Sequence, residues 1–361
     1  MIRVLQIFGS LDIGGVEAFL VNYYRNIDRT KIQFDFLIYE NYREHYNDDV
    51  LLLGARIFKR PRLKHNPFRN LNVLRKVLKD NPDIKIIHTH GCLPFVLLDL
   101  YVASLCGVKI RFVHSHNKSH GVRLLRPFYQ KLAMLITTKH LACSTEAGMS
   151  LFGKSIFTKD KLSLIKNAIN IEQYRYSTER RMKIRDKMDL GDKFIVFHVG
   201  RFEKVKNQEF LLKAFACAVN KQLNIVLLIA GDGSEHKHLL EVALELGICD
   251  YVKFLGKRDD VADLLQAADI FVLPSISEGL GIAAIEAQAA GLPCLLSNGV
   301  PFECKITDNV EFLPIDKGVD IWAERMITYR DFNRIDPSND VYKAGYDIKS
   351  AVKELEKFYL P

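Results

Sequence analysis

The stretch IRVLQIFGSLDIGGVEAFLVNYYRNI, Ile2 to Ile27, decides how the rest of the chain is read. It opens on IRVLQIF, a mostly apolar segment that reads as a buried strand. GSLDIGG follows as a glycine loop, and VEAFLVNYYRNI then spaces its apolar residues as a helix does. The same alternation recurs at Phe34–Tyr39, Ile84–His90, Lys109–His116 and His140–Ser144, with helical stretches between. Short apolar strands alternating with helices predict a parallel sheet covered on both faces.

The alternation then restarts. KFIVFHVGR (Lys193–Arg201), NIVLLIAGDG (Asn224–Gly233), VKFLG, DIFVLPS and PCLLS read as a second series of strands. Between the series lies the polar, charge-rich NIEQYRYSTERRMKIRDKMDLGDK, where a linker is expected near Asn170 to Tyr176. The expected division is an N-terminal domain over 1–173 and a C-terminal domain over 174–344. The final amphipathic stretch, about 345–361, would be free to pack back on the first domain. In open α/β sheets ligands bind at the carboxyl ends of the strands, so the expected site is a cleft between two facing sheets.

With 361 residues, 48% hydrophobic and 26% charged, the composition is that of a globular protein of about two domains. No apolar run is long enough to span a bilayer, and the N-terminus lacks the layout of a secretory signal. Seven scattered cysteines without a Cys-x-x-Cys pair suggest reduced thiols and a cytoplasmic protein. Charge is uneven: residues 1–173 hold 26 Lys/Arg against 14 Asp/Glu, whereas 174–361 hold 25 against 29. The basic first half favours an anionic partner, but the sign alone does not choose nucleic acid, acidic lipid or a phosphate-bearing substrate.

The chemistry concentrates after DIFVLPS, in SEGLGIAAIEAQAAGLP (Ser277–Pro293). Two carboxylates, Glu278 and Glu286, bracket glycines and small apolar residues. The run reads as a turn and then a helix ending at Gly291. Amides near Leu280 and Gly281 would be free donors at the helix start, able to meet a phosphate or sugar oxygen. The plainer alternative is a helix with favourable N-terminal acids. Helical spacing does not force the two acids into a glycosidase pair. Gly14 and Gly15, in GGVE, follow the first strand and open a helix, which suits a phosphate, although a lone match of this kind favours an ordinary glycine turn. The G-x-G-x-x-G dinucleotide fingerprint is absent, which speaks against a dehydrogenase. Arg201 and Lys206 follow a strand ending at Gly200. Two cations there suit a pyrophosphate, although such a pair is commonly solvated surface charge.

These motifs, in this order, resemble the retaining glycosyltransferases of family 4. SEGLGIAAIEAQAAGLP matches their E-x7-E signature, and GGVE, VGRFEKVKNQEFLLKAF, LLIAGDG and VKFLG agree in order and spacing. The resemblance implies an α/β GT-B fold: two Rossmann-like domains facing each other across a cleft that holds a nucleotide-sugar donor. It implies that Arg201 and Lys206 bind the diphosphate, that Glu286 holds the ribose, and that Gly231 lies near the nucleotide. It further implies that Glu278 with the Leu280 and Gly281 amides orients the donor sugar, and that His116 meets the reacting sugar on the acceptor side, with His114 the alternative. A UDP-linked donor and a glycan or lipid-linked acceptor in exopolysaccharide or capsule assembly are expected, with no metal and no other cofactor. A sugar-nucleotide epimerase of the same layout and a non-catalytic precursor-binding protein are the alternatives.

Two further features complete the expectations. His88, His90, His114, His116 and His120 cluster at two strand ends, without the helical H-x-x-x-H pair or acid set of a common metal site. The acid-free runs Arg56–Arg69 and Lys118–Ile136 interleave cations with Leu, Phe and Tyr. They suit contact with an anionic membrane at its inner face, or simply a solvated basic surface. No module for reading nucleic acid is present.

Overall fold

A computed structural model describes all residues except 13, 42–44, 92, 117–124, 159–160, 222–223 and 361. The chain divides into two compact units: Met1–Ala168 together with Tyr346–Pro361, and Ile169–Gly345. The first cut falls five residues before the expected one. The cause is the short helix Ile171–Tyr174, whose Ile171 and Tyr174 are buried and which packs within the second unit. These two apolar anchors lie inside an otherwise polar stretch, which hides the helix from a reading of composition.

In the first unit, seven strands form one sheet. They are β1 (Ile2–Ile7), β2 (Ile32–Tyr39), β3 (Ile57–Arg60), β4 (Ile84–Thr89), β5 (Ile110–Ser115), β6 (Lys139–Ala142) and β7 (Leu162–Leu164). Their order is β3-β2-β1-β4-β5-β6-β7, and every pairing is parallel. The second unit holds β8 (Phe194–Val199), β9 (Ile225–Ala230), β10 (Val252–Phe254), β11 (Ile270–Leu273), β12 (Cys294–Leu296) and β13 (Val310–Phe312). Its order is β10-β9-β8-β11-β12-β13, again all parallel. Each sheet therefore changes winding direction once, between β1 and β4 and between β8 and β11. The splayed loops at such a point leave room for a ligand at the strands' carboxyl ends.

Burial follows the sheet position. Central β9 is buried at all six residues, because helices cover both of its faces. The strands that sequence pattern did not reveal are β3, β7 and β13, all at sheet edges and only three or four residues long. Edge strands are half solvated, so they lack the apolar run that marks a central strand. In β3, IFKR looks basic because Arg60 enters the interior as an ion pair: its guanidinium meets Asp99 at 2.5 and 2.8 Å.

The helix Ile348–Tyr359 belongs to the first unit. Asp347 caps it, accepting from the Ser350 amide at 3.1 Å. Ile348, Ala351, Val352, Leu355 and Tyr359 form one stripe, packed in a core with Val4, Phe34 and Phe112. Each large side chain in such a stripe contributes about 1.5–3 kcal/mol by burial. Among the described residues no helix is long and apolar enough to cross a membrane.

Candidate functional site

In the second unit the loops after β8 and β11 are stitched together at the point where the winding reverses. Residues Lys204–Lys206 form one 3₁₀ turn, closed by Asn207 in a left-handed conformation (φ 57°). The Asn207 side-chain amide donates to the Pro274 carbonyl at 3.2 Å, and the Ile276 amide donates to Val205 at 2.8 Å. This stitching carries Lys206 to Glu278. The Lys206 Nζ donates to both carboxylate oxygens, at 2.6 and 2.8 Å, and Ser275 Oγ donates to Oε1 at 2.6 Å. The Glu278 amide donates to the Gly299 carbonyl at 3.0 Å. Gly299 is held to glycine by space, since a Cβ there would lie 2.2 Å from the Ser275 carbonyl oxygen.

Glu278 is 8% exposed and the Lys206 side chain 24%. The pair is thus sheltered on the acid side and open on the lysine side. An ammonium has three N–H donors, so one remains for a ligand. Arg201 is not brought to the same point. It pairs with Glu203 at 3.2 Å, with its side chain 57% exposed. Beneath Lys206, His198 is buried. Its Nδ1 meets the Val272 carbonyl at 2.9 Å, and burial lowers its pKa to about 4, so the ring is neutral.

The helix Ile282–Ala289 begins after Gly281, whose φ of +86° is a left-handed cap that glycine adopts without strain. The amides of Ile282 and Ala283 fall in its first turn, where no intrahelical acceptor exists. Leu280 turns its side chain into the interior. Glu286 sits one turn inside, and its carboxyl accepts from the Tyr174 hydroxyl at 2.9 Å. Burial raises its pKa to about 7, opposed by that tyrosine bond, although the residue keeps some accessible surface. Gly231 has a packing role of its own: at φ +141°, a Cβ would lie 2.0 Å from the Gly200 carbonyl oxygen. At Gly15 a Cβ would meet nothing within 4 Å, so the space before that helix is open. Gly14 precedes the helix Gly15–Asn26 in extended conformation, and its carbonyl accepts from the Ala18 amide at 2.8 Å.

The first unit gathers histidines at the carboxyl ends of β4 and β5. His88, His90, His114 and His116 are all buried, and Phe19 packs edge-on to His114 and His116 at 5.0 and 5.1 Å. Burial drives all four well below the usual histidine pKa, to about 3 for His116; mutual repulsion adds to this for His88, His90 and His114. They are neutral rings. One ring nitrogen from each of His88, His90 and His114 lies within 4.8 Å of the others, close enough to consider a metal. As arranged, however, both His90 nitrogens are occupied, by Gln6 Oε1 and by His116 Nε2, each at 2.8 Å. The His88 and His114 rings stack in parallel, 5.4 Å apart, rather than converging their edges on one point. No carboxylate belongs to the group. His120 lies outside the described residues.

Sequence pattern missed Ser275, Tyr174, His198 and, in the first unit, Gln6 and Tyr359. Ser275 could have been found from its place three residues before Glu278. The others act across 74 to 353 positions of chain, which no local pattern reveals.

Two parallel open sheets, each reversing its winding once, define an α/β protein of the doubly wound kind. The chain belongs to the glycosyl transferases of group 1, with a fold of the GT-B type. Residues 180–328 match the glycosyl transferases group 1 profile and residues 13–173 the glycosyltransferase family 4 profile. EpsF of Bacillus subtilis (strain 168), whose name carries a provisional glycosyltransferase assignment, is 31% identical over 99% of this chain and 96% of its own length. The UDP-Gal:alpha-D-GlcNAc-diphosphoundecaprenol alpha-1,3-galactosyltransferase of Escherichia coli is 30% identical over 69% of this chain and 68% of its own. Among solved structures, Anabaena HepE in complex with UDP and glucose superposes with a TM-score of 0.81 at 17% identity, over 99% of both chains. That likeness speaks to the fold.

Proposed function

We propose that this glycosyltransferase is retaining and moves a sugar from a UDP-linked donor to a lipid-linked or glycan acceptor in exopolysaccharide assembly. The observation that carries the proposal is the Lys206–Glu278 pair where the second sheet reverses its winding. Lys206, with Arg201 swung away from Glu203, neutralises the leaving diphosphate. Glu278 and the amides at the start of the helix Ile282–Ala289 orient the donor sugar, and Glu286 accepts from the ribose hydroxyls. The glycine loop at Gly14 and Gly15 contributes amides to the phosphate. The acceptor hydroxyl lies against His116. A bond forms from the acceptor oxygen to the anomeric carbon as the bond to the β-phosphate breaks on the same face. The acceptor's proton passes to the leaving phosphate. Two cations take the place a metal would have, so no metal is required.

The UDP donor and lipid-linked acceptor draw on what the Escherichia coli relative's name states and on the UDP bound by HepE. The test is incubation of purified protein with UDP-galactose, UDP-glucose and UDP-N-acetylglucosamine, with GDP- and ADP-sugars as controls. Each is offered with a lipid-diphosphate-linked α-GlcNAc, with and without EDTA. The expected result is UDP release and an α-linked product, unchanged by EDTA. An inverted anomer sinks the retaining assignment. Epimerisation of the donor without acceptor makes the protein an epimerase, and donor binding without turnover makes it a binding protein.

The proposal includes contact with anionic membrane through the first unit, on a narrower surface than the basic runs suggest. Arg56 and Arg60 are held by Asp35 and Asp99, and residues 118–124 lie outside the described part. The supporting surface is instead three adjoining helices, Pro67–Asp80, Phe95–Leu105 and Arg126–Ile136. The middle helix has one charged residue, Asp99, turned inward to Arg60, and exposes Leu98, Tyr101 and Leu105. Exposed Arg75, Lys76, Lys79 and Lys131 flank it, an apolar strip between cations.

A further inference from the structure

We propose that Gln6 and Tyr359 are positioning residues for His116: a hydrogen-bond chain from the end of the last helix through the first strand sets which ring nitrogen of His116 carries the proton. The inference rests on the proposed placement of the acceptor hydroxyl at His116 and deepens it.

The chain is continuous. Tyr359 Oη lies 2.6 Å from His88 Nδ1 and accepts from Gln6 Nε2 at 3.3 Å. Gln6 Oε1 meets His90 Nε2 at 2.8 Å, and His90 Nδ1 meets His116 Nε2 at 2.8 Å. Every member is buried. Each link restricts the next, because a neutral imidazole has one donor and one acceptor nitrogen. Tyr359 has one hydroxyl proton. Gln6 turns its NH₂ to the tyrosine oxygen and its carbonyl to His90, which directs that proton to His88. His90 therefore carries its proton on Nε2 and offers a lone pair at Nδ1. His116 must then donate from Nε2. Its Nδ1 is left as a bare acceptor, buried and without a partner among the described residues.

That polarity suits a sugar hydroxyl: Nδ1 accepts its hydrogen bond before the attack and leaves the oxygen lone pairs free, and the proton then passes to the leaving phosphate. The opposite tautomer would face it with a second donor. Burial keeps His90 and His116 neutral, so the argument from a single proton holds at physiological pH. The anchor is rigid: the Tyr359 ring stacks on Phe112 (5.7 Å, 12°) and meets Phe34 edge-on at 5.8 Å. The last helix thus supplies more than apolar cover. It ends the chain of bonds that begins at the active histidine.

The test uses full-length protein labelled with ¹⁵N-histidine. Long-range ¹H–¹⁵N spectra should show His116 as one tautomer, protonated on Nε2. Gln6→Met should release it into a mixture, and Tyr359→Phe, which removes one oxygen and keeps the ring, should do so in part. Transfer from UDP-galactose to lipid-diphosphate-linked α-GlcNAc should lose about 10- to 100-fold in kcat with Gln6→Met, with KM for UDP-galactose and donor hydrolysis unchanged. Tyr359→Phe should lose about 3- to 10-fold on the same reasoning. The wild-type spectrum reads the tautomer whether or not either variant folds. His116 protonated on Nδ1, or an unchanged single tautomer in Gln6→Met, overturns the inference. Stoichiometric zinc in the purified protein, lost in His114→Ala, also overturns it, because coordination would take the lone pairs of the chain. If His116→Asn keeps full transfer while the tautomer is as stated, it is the placement of the acceptor at His116 that fails.

Discussion

At the carboxyl end of the second sheet, Lys206 and Glu278 meet as a half-open ion pair carried on two loops. At the carboxyl end of the first, Gln6, His88, His90 and the histidines of β5 meet as neutral, buried groups carried on or just after the strands themselves. The topology is the same and the chemistry opposite. A charged pair needs water or a counter-charge nearby, so it sits on loops, where the diphosphate of the proposed donor would exchange for one partner. A hydroxyl needs a neutral acceptor, and deep burial is the surest way to keep histidine neutral. On the proposed reading the second sheet handles charge and the first orients a hydroxyl.

The largest expected effect probes the charged side. Lys206→Ala should lower turnover by about 10²- to 10³-fold, as removal of one cation from a developing anion does. It should also destabilise the protein by about 2 kcal/mol, because Glu278 stays buried without its cation. Adding Glu278→Gln should restore part of that stability and none of the activity. Full turnover in Lys206→Ala would sink the diphosphate assignment and the contrast with it.

Next in size is a comparison of glycines. Gly231→Ala should cost about 3 kcal/mol, from a backbone angle foreign to alanine and a clash with Gly200, measured as a lower denaturation midpoint. Gly15→Ala should leave the midpoint within about 1 kcal/mol and weaken UDP-sugar binding. Equal stability losses would mean that both glycines are architectural.

Glu286 sharpens the charged side through pH. Its folded pKa, about 7, lies above its unfolded value, so in ligand-free protein its contribution to stability falls as pH rises from about 4.5 to 7 and stays low above that. Glu286→Gln should therefore be the more stable protein at pH 8, by about 1–2 kcal/mol, and close to wild type near pH 4.5. UDP-sugar affinity of the wild type should rise through pH 7, as the carboxylate forms, and Glu286→Gln should flatten that rise in calorimetric titrations.

The smallest effect concerns the surface of the first unit. Leu98→Glu with Leu105→Glu should reduce sedimentation with phosphatidylglycerol vesicles about 3- to 10-fold and leave hydrolysis of soluble donor unchanged. Equal sedimentation of wild type and variant would remove the membrane contact from the proposal.

The alternation of strands and helices was legible because central parallel strands carry unbroken apolar runs, as β9 does. The edge strands β3, β7 and β13 were not, because a half-solvated strand has no such run. The second unit's candidate site could be named from sequence because Glu278, Leu280, Gly281 and Glu286 fall within nine residues, so a local motif holds them. Within the first unit the same reading stopped at a cluster of histidines. Which of them bond to which depends on Gln6 and Tyr359, 353 positions apart.

Sequence by itself determined the class of fold and the family, and it singled out the acids and cations proposed for the donor side, since periodicity and short motifs are local properties. Only the tertiary structure decided that Lys206 pairs with Glu278 while Arg201 turns to Glu203, that Arg60 is a buried charge and Arg56 is tied to Asp35, and that Tyr359 reaches His88. Those choices depend on which side chains meet across packed strands, and that contact is made by folding rather than by neighbourhood along the chain.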